Sequence, residues 1–600
     1  MKSNIKIVLF TLVILFLFSS TCKVFSNEEI NHVEFNEENP NQIEQSGFWN
    51  LIGTTISIDN NWTAVNATSD WCTGEGTETE PFIIENVTID AQDSGSCIEI
   101  QNSNVYFIIQ NCSLYNAGPT HPDAGITLKN VTNGKIINNY CDSNYHGIHL
   151  EDSDNNTVSG NTASYNQQGI YLRESYNNTV SENTASYNSL NGIYLYESDN
   201  NTVSGNTANN NNYYGIYLYY SYNNTISGNL MNYCGIGFFG TLAEMASHFI
   251  DNTNLVNNKP VYYYVNEVGL SSSDFTNAGQ IILINCNNSI ISGNNLSNGS
   301  VGIFLGYSNN NMVSENTANY NIGGGIYLFI SVNNTVSGNT ASNNTEQGIY
   351  LYGSDNNTIS ENTANNNNYG ISLSFSIKNT VSGNTASNNT EQGIYLIYSV
   401  NNTVSGNTAS NNTEQGIYLR ESYNNTVSGN TASNNNYGIY ISFSSNNNTV
   451  SENTASNNNY GIYLDHCYNN TISGNTVSNN NDCGIYIYFF TRYNTIFLNH
   501  FTNNGLNALD NGNNNMWDNG YFGNYWDDYT GVDANHDGIG DTPYKVPGSA
   551  GSKDNFPMLN DVGGDDQPLI PFGNYFLLFT IIAIVSLTIL EKQKKTCHLR

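Results

Sequence analysis

The strongest constraint in this chain is a repeat. Gly169-Ile170-Tyr171-Leu172-Arg173-Glu174-Ser175-Tyr176-Asn177-Asn178-Thr179-Val180-Ser181-Glu182-Asn183-Thr184 returns almost unchanged as Gly416-Ile417-Tyr418-Leu419-Arg420-Glu421-Ser422-Tyr423-Asn424-Asn425-Thr426-Val427-Ser428-Gly429-Asn430-Thr431. The apolar residue after each Asn-Thr recurs at Val158, Val180, Val203, Ile226, Val313, Val336, Ile359, Val381, Val404, Val427, Val450 and Ile472. The spacing is 22 or 23, with one long gap after Ile226. A period in the range of roughly 20–50 implies a solenoid. Units this short cannot hold a helix pair. Their apolar positions alternate with period two (Ile in, Tyr out, Leu in), which is strand patterning. Each unit is therefore expected to be one coil of two or three short strands with Gly and Asn turns.

A lone coil buries almost nothing, so coils must stack, each residue type lying over its own kind ~4.8 Å away. The Asn after Ser-Gly or Ser-Glu (Asn161, Asn183, Asn339, Asn407, Asn430) then forms an amide ladder from coil to coil. Asn is the most frequent residue, and its amide competes for backbone hydrogen bonds in helix interiors, so an all-helical fold is excluded. With 38% hydrophobic and 12% aromatic residues the chain can build a core, which argues against disorder. The expected fold is an all-β parallel β-helix solenoid of about sixteen coils, a rod of about 75 Å.

The ends point to a compartment. Lys2 and Lys6 precede an apolar run from Ile7 to Phe18 and small polar residues at Ser19, Ser20 and Ser26, a secretory signal pattern, with an uncleaved anchor as the alternative. Ile570 to Leu590 is long enough to span a membrane and is followed by Lys592, Lys594, Lys595 and Arg600, which places that tail in the cytoplasm. The expected product is a single-pass cell-membrane protein with its ectodomain outside. Its segments read as signal (1–26), N-terminal segment and cap (27–87), coils (88–229), insertion (230–287) and coils (288–505). A C-terminal cap with an Asp-rich loop (506–560), stem (561–569), transmembrane helix (570–590) and tail (591–600) follow. Net charge is −34, and seven of the 16 Lys and Arg lie at the two ends, so nucleic acid is excluded as a partner. Eight cysteines remain between signal and tail; Cys72–Cys97 and Cys467–Cys483 are near enough in sequence to be first guesses for disulfides. Sequons such as Asn66-Ala67-Thr68 are numerous, many arising from the repeat itself.

Two further segments sharpen the reading. The long gap carries Asn258-Lys259-Pro260-Val261-Tyr262-Tyr263-Tyr264-Val265, and the coils are followed by Asn524-Tyr525-Trp526-Asp527-Asp528-Tyr529-Thr530-Gly531 and Asp541-Thr542-Pro543-Tyr544. Together with the coils, from Ile89 to Leu559, these resemble the NosD-type and carbohydrate-binding/sugar-hydrolysis family of right-handed parallel β-helix repeats. The resemblance implies the fold and its handedness. That family is functionally mixed, so no single activity comes with it.

Three groups of residues are candidates for chemistry. The outward position of each Gly-Ile-Tyr-Leu unit reads Tyr171, Tyr194, Tyr217, Tyr327, Tyr350, Tyr395, Tyr418, Tyr440, Tyr463 and Tyr486, with His149, Phe304 and Ser372 in the same column. Such rings suit an extracellular polysaccharide or glycoprotein glycan, or serve only as a stabilising stack. The early coils carry His149, Glu151, Arg173, Glu174 and Glu197, either an acid/base or cation site or solvated surface charge. Resemblance to β-helix polysaccharide lyases would make Arg173 or His149 the base and the carboxylates calcium ligands. Asp533, Asn535, Asp537, the Ile539 carbonyl and Asp541 match the oxygen spacing of a Ca²⁺ loop, though Tyr544 stands where an EF-hand has its bidentate Glu. The alternative there is a metal-free Asp/Asn/Gly turn. Copper, suggested by the family's association, is disfavoured: within the coils only His146 and His149 form a close pair. Three classes remain: a glycan-binding surface rod, a lyase- or epimerase-like enzyme, and a copper-associated protein.

Overall fold

Each coil must turn its bends without leaving a backbone donor or acceptor unpaired; asparagine does this at three of them, and a serine does it just after the Gly-Ile-Tyr-Leu stretch, where the Ser422 N–H donates to Ser445 Oγ and Ser422 Oγ to the Leu396 carbonyl. The computed structural model describes residues 49–559. The repeat becomes three parallel faces. Face one is the Gly-Ile-Tyr-Leu strand, for example Gln415–Arg420; face two is Thr-Val-Ser, Thr426–Ser428; face three is Thr-Ala-Ser, Thr431–Ser433. Like pairs with like from coil to coil: Ile417 with Ile439 and Tyr418 with Tyr440, Val427 with Val450, Ala432 with Ala455. The result is a right-handed parallel β-solenoid of about 19 turns with 3% helix.

The turn count exceeds the sixteen expected because segments without the repeat's sequence also pair in register. Ile56–Asp59 pairs with Ile98–Ser103, and Phe82–Glu85 with Phe107–Gln110. Ile236–Phe239 and Gln280–Ile284, inside the long gap, are also face-one strands.

The core is a set of columns. Ile417, Leu419, Val427 and Ala432 are fully buried, as are their equivalents above and below. Three asparagines per coil, such as Asn425, Asn430 and Asn435, are at most 6% exposed. Asn430 shows the pattern: its backbone N–H donates to Asn453 Oδ1 at 2.9 Å, its Nδ2 donates to the Val404 carbonyl and to Asn453 Oδ1, and its own Oδ1 accepts from Asn407. The residue before each of these asparagines is left-handed: Asn424 at φ 58°, Gly429 at 63°, Asn434 at 57°. That explains Ser-Gly-Asn. Where the repeat reads Ser-Glu-Asn instead, Glu182 and Glu452 hold φ of 59° and 58° at a cost of about 1 kcal/mol each.

The coils form two stacks. The first carries face-one strands from Ile56–Asp59 to Ile236–Phe239 in an eight-stranded sheet. The second begins at Lys259–Val265, which runs antiparallel to Leu255–Val256 and then parallel to Gln280–Ile284. At this seam the outer side of the second stack is covered. Ile282, Ile284, Phe304 and Phe329 belong to the same buried cluster as Phe238 and Met245 of the first stack. Gln280 clasps both the Ile236 N–H and carbonyl, at 2.9 and 2.8 Å. The Asn-Lys-Pro-Val-Tyr-Tyr-Tyr-Val segment is thus the strand that restarts the solenoid.

The eight described cysteines are buried free thiols, which corrects the two disulfide guesses. Cys141 lies in register between Leu114 and Ala163, and the Cys286 N–H donates to Ser308 Oγ, as the serines of later coils do to one another. The far end is closed by the Asn-Tyr-Trp-Asp-Asp motif: Trp526 stacks on Phe501 at 4.4 Å, is covered by Tyr544 at 4.1 Å, and donates its indole N–H to buried Asp554. The signal segment, the stem, the transmembrane helix and the tail lie outside the described residues. No helix among the described residues is long and apolar enough to cross a membrane.

Candidate functional site

The outward aromatic column is continuous over long runs. Ring centroids of Tyr171–Tyr194 are 5.0 Å apart, Tyr327–Tyr350 4.8 Å, Tyr395–Tyr418 5.1 Å and Tyr418–Tyr440 4.9 Å, all near parallel. Tyr463 then turns edge-on between Tyr440 and Tyr486. None of the ten is exposed: Tyr171 and Tyr418 are buried and the others half-buried. The sequence placed flat rings on an open face; in the structure those flat faces lie against each other, and the seam covers the part of the column nearest it. Phenol edges are what remain outward at Tyr395, Tyr440, Tyr463 and Tyr486. Burial pushes nine of these phenols, Tyr171 to Tyr463, up, Tyr350 to about 12, so these nine stay protonated donors. The Tyr418 hydroxyl meets Ser442 Oγ at 2.9 Å and that of Tyr440 reaches Asp465 at 3.3 Å.

The early coils bring several charged side chains together. Register places Lys129, Glu151 and Arg173 in one column, and Glu151 bridges Lys129 at 3.2 Å and Arg173 at 3.4 Å. Burial pushes the Glu151 carboxyl up, but the Lys129 hydrogen bond and the charges of Lys129, His149 and Arg173 outweigh it and hold it below its ordinary value. Glu174 and Glu197 stand one position along, at left-handed corners with φ 48° and 46°, and Arg173 Nε also contacts Glu174 at 3.4 Å.

Behind this column sits a feature only half visible in the sequence. His146 and His149 share the strand His146–Glu151 and point to one side with His121, from the turn before the preceding face-one strand. His121 Nδ1 and His146 Nε2 are 3.0 Å apart, and His149 lies flat on Tyr171 at 5.0 Å. Burial lowers the basicity of all three imidazoles, that of His149 to about 4. Sequence reasoning missed His121, which lies in a turn outside the periodic positions, and Lys129, whose distance of 22 from Glu151 was an available signal.

The C-terminal loop curls on itself. Asp533 accepts from the Asp537 and Gly538 N–H groups at 3.1 and 2.8 Å, Asp537 from Ile539, and Asp541 from Ala534. Asn535 donates to Asp537 at 3.0 Å. The loop thereby gathers its oxygens on one short exposed segment.

The family described as "Periplasmic copper-binding protein (NosD)" matches residues 81–277, 263–397 and 376–531. The chain belongs to the NosD family. This NosD-family protein is also similar to solved β-helix structures. The periplasmic alginate epimerase AlgG is 13% identical over 75% of this chain and 83% of its own, with a TM-score of 0.28. The Azotobacter vinelandii mannuronan C-5 epimerase AlgE4 A-module is 13% identical over 70% and 91%, TM-score 0.22. The alginate lyase from Paenibacillus sp. str. FPU-7 is 11% identical over 57% and 98%, TM-score 0.22. No curated protein matches the chain.

The family's description raises the question of whether this chain's residues fit copper, which takes imidazole, thiolate and thioether donors. The described cysteines are buried free thiols, and none belongs to a group of three ligating side chains. The rings of His121, His146 and His149 lie together, but His121 Nδ1 and His146 Nε2 are spent on each other, and among the described residues no three His, Cys, Asp or Glu side chains are set around one ion, so these residues do not fit a copper centre.

Proposed function

We propose that this NosD-family solenoid is a surface-anchored binding rod that engages extracellular polysaccharide or a glycoprotein glycan through face one, with residues 570–590 as its membrane anchor. The carrying observation is the run of phenol rings from Tyr395 to Tyr486, one per coil, locked by mutual stacking and half-buried except at Tyr418, which is buried. Rigid rings lose little entropy on binding, and a hydroxyl every coil offers donors at a regular pitch to a polymer that repeats along its own length. Arg420, 3.7 Å from Glu421 and over the Phe443 ring at 5.2 Å, adds a charged margin.

The test separates edge from scaffold. Changing Tyr395, Tyr418 and Tyr440 together to Phe keeps the stack and removes three hydroxyls. Binding to the best ligand of a polysaccharide array should weaken by about tenfold or more, at ~0.5–1.5 kcal/mol per lost hydrogen bond, while the melting temperature moves little. Unchanged affinity, or a parent protein that binds no glycan, sinks this reading.

A second reading, a lyase- or epimerase-like enzyme, is favoured by one arrangement: neutral imidazoles and the Tyr171 phenol beside Lys129 and Arg173, the groups needed to move a proton next to a uronate carboxylate. His149 is fully buried, so substrate would have to displace the His121 turn. Ca²⁺ at Asp533, Asn535, Asp537, Ile539 and Asp541 is proposed as structural. Millimolar Ca²⁺ should raise the melting temperature and EDTA lower it, with Asp537→Ala removing most of the difference.

A further inference from the structure

The C-terminal end of the rod carries a collar of exposed apolar side chains. Among the described residues, nine of the 24 large apolar side chains left exposed lie between Tyr488 and Val532, 45 residues that are less than a tenth of the described chain. They stand at the corners of the last two coils. Tyr488, Phe489 and Phe490 come between faces one and two, Leu506 between faces three and one, and Tyr521 and Phe522 between faces two and three. The turns that present them are fixed. Tyr488 donates its N–H to the Leu464 carbonyl at 2.9 Å, and Asn519 Oδ1 accepts from the Tyr521 and Phe522 N–H groups at 3.0 and 2.8 Å.

The scaffold does not ask for these side chains. The left-handed position before each ladder asparagine holds Asn424, Asn447 and Asn469, at φ 58°, 56° and 58°; one coil on it holds Tyr493, exposed and at 57°. Phe490, 73% exposed, is left-handed at 66°. Bulky residues are rare in that conformation, and its strain persists at positions kept for function rather than packing. Arg492 stands between the two and is the only Lys or Arg from Glu421 to Tyr544. It joins no ion pair among the described residues. Its guanidinium lies 5.9 Å from the ring centres of Tyr468 and Tyr493, and with His466, Phe490 and Asn513 it lines an open cleft of about 470 Å³.

We infer that this collar seats the C-terminal end of the rod in the headgroup layer of a phospholipid bilayer, its rings entering the acyl boundary and Arg492 pairing with a lipid phosphate. The inference rests on the anchored reading proposed above. Ten residues separate Leu559 from the apolar run that begins at Ile570. At ~3.3–3.6 Å per residue they tether this end within about 40 Å of the membrane. Tyr and Phe are side chains that settle at a membrane–water interface. Charge argues against the other occupants. An acidic polymer, or a second copy of this chain at −34, would meet Asp482, Asp518, Asp527 and Asp528 with one arginine to offset them. A zwitterionic lipid surface brings no net charge.

The test reconstitutes the full-length protein into phosphatidylcholine vesicles, with and without bromine on the acyl chains near the glycerol. Two variants add a fluorescent reporter to the chain's five tryptophans: Phe490→Trp in the collar, and Tyr165→Trp at an exposed position of the first stack. Brominated lipid should quench the added fluorescence of Phe490→Trp at least twofold more than that of Tyr165→Trp. Adding Phe489→Ser and Tyr493→Ser to Phe490→Trp should cut that quenching at least twofold, with the melting temperature unchanged. A carbonate wash reports the anchor separately. Protein retained by washed vesicles with equal quenching at both reporters overturns the collar and leaves the anchor standing; protein washed off sinks the anchored reading and this inference with it. If the two serine changes abolish glycan binding or self-association while quenching stays the same, the collar belongs to that partner and the proposal is overturned.

Discussion

Asn407→Leu should cost the solenoid about 4 kcal/mol or more, although the side chain is fully internal and the replacement is similar in size. Asn407 Oδ1 accepts from both the backbone N–H and the Nδ2 of Asn384, while its Nδ2 donates to the Val381 carbonyl and to Asn430 Oδ1, each at 2.9 Å. Leucine leaves those groups unpaired at ~1–3 kcal/mol apiece, in a site with no access to water. Aspartate does not rescue it, because its second oxygen would face the Val381 carbonyl and Asn430 Oδ1 with no proton to share. A control four residues away behaves differently: Asn411 is exposed and left-handed at φ 58°, so Asn411→Gly should be neutral within ~0.5 kcal/mol. Urea denaturation of the two variants gives the comparison. A loss under ~1 kcal/mol for Asn407→Leu would mean that the ladder is ornamental.

The second large effect concerns acid. His248 stands where the next ladder asparagine belongs, and its Nδ1 accepts from the Asn224 N–H at 3.2 Å. That bond requires an unprotonated Nδ1, and burial pushes the imidazole down to about 4. An unfolded histidine titrates near 6.5, so between pH 6.5 and 4 the unfolded chain takes up a proton that the native chain refuses. Stability is therefore complete above about 6.5 and falls as the pH drops toward 4, by about 3 kcal/mol for this residue. His149, likewise pushed to about 4, adds a loss of the same sign. His248→Asn should restore an amide to the ladder and remove the His248 share. Denaturation midpoints at pH 7.5 and pH 4 should then differ less in the variant than in the parent. Equal differences would show that His248 is not the titrating group.

The fold was legible because the chain states the same coil many times. Ile417, Leu419 and Val427 could be placed inward from alternation alone, and the amide ladder followed from one Asn in register per period. The seam was not legible. Lys259–Val265 has no periodic counterpart, and what it does depends on running against Leu255–Val256, a contact no local pattern encodes. The aromatic column was placed on the right strand position but read as open, since stacking at 4.8–5.1 Å consumes the ring faces that the sequence alone leaves free. Among the candidate polar residues, Glu151 and Arg173 were found because they are one period apart, whereas His121 comes from a turn with no repeat to announce it.

The equivalence of the coils has a consequence for how such a chain can change over generations. Asn389, Asn412, Asn435 and Asn458 present the same donors and acceptors upward and downward, so an inner coil cannot tell which copy lies beside it. An unequal crossover between two such copies inserts or deletes one complete turn and leaves every remaining junction chemically unchanged, while both end caps stay as they were. Reach is thereby an inheritable quantity that varies in steps of about 4.8 Å without a stability penalty, and alleles of different length should fold equally well.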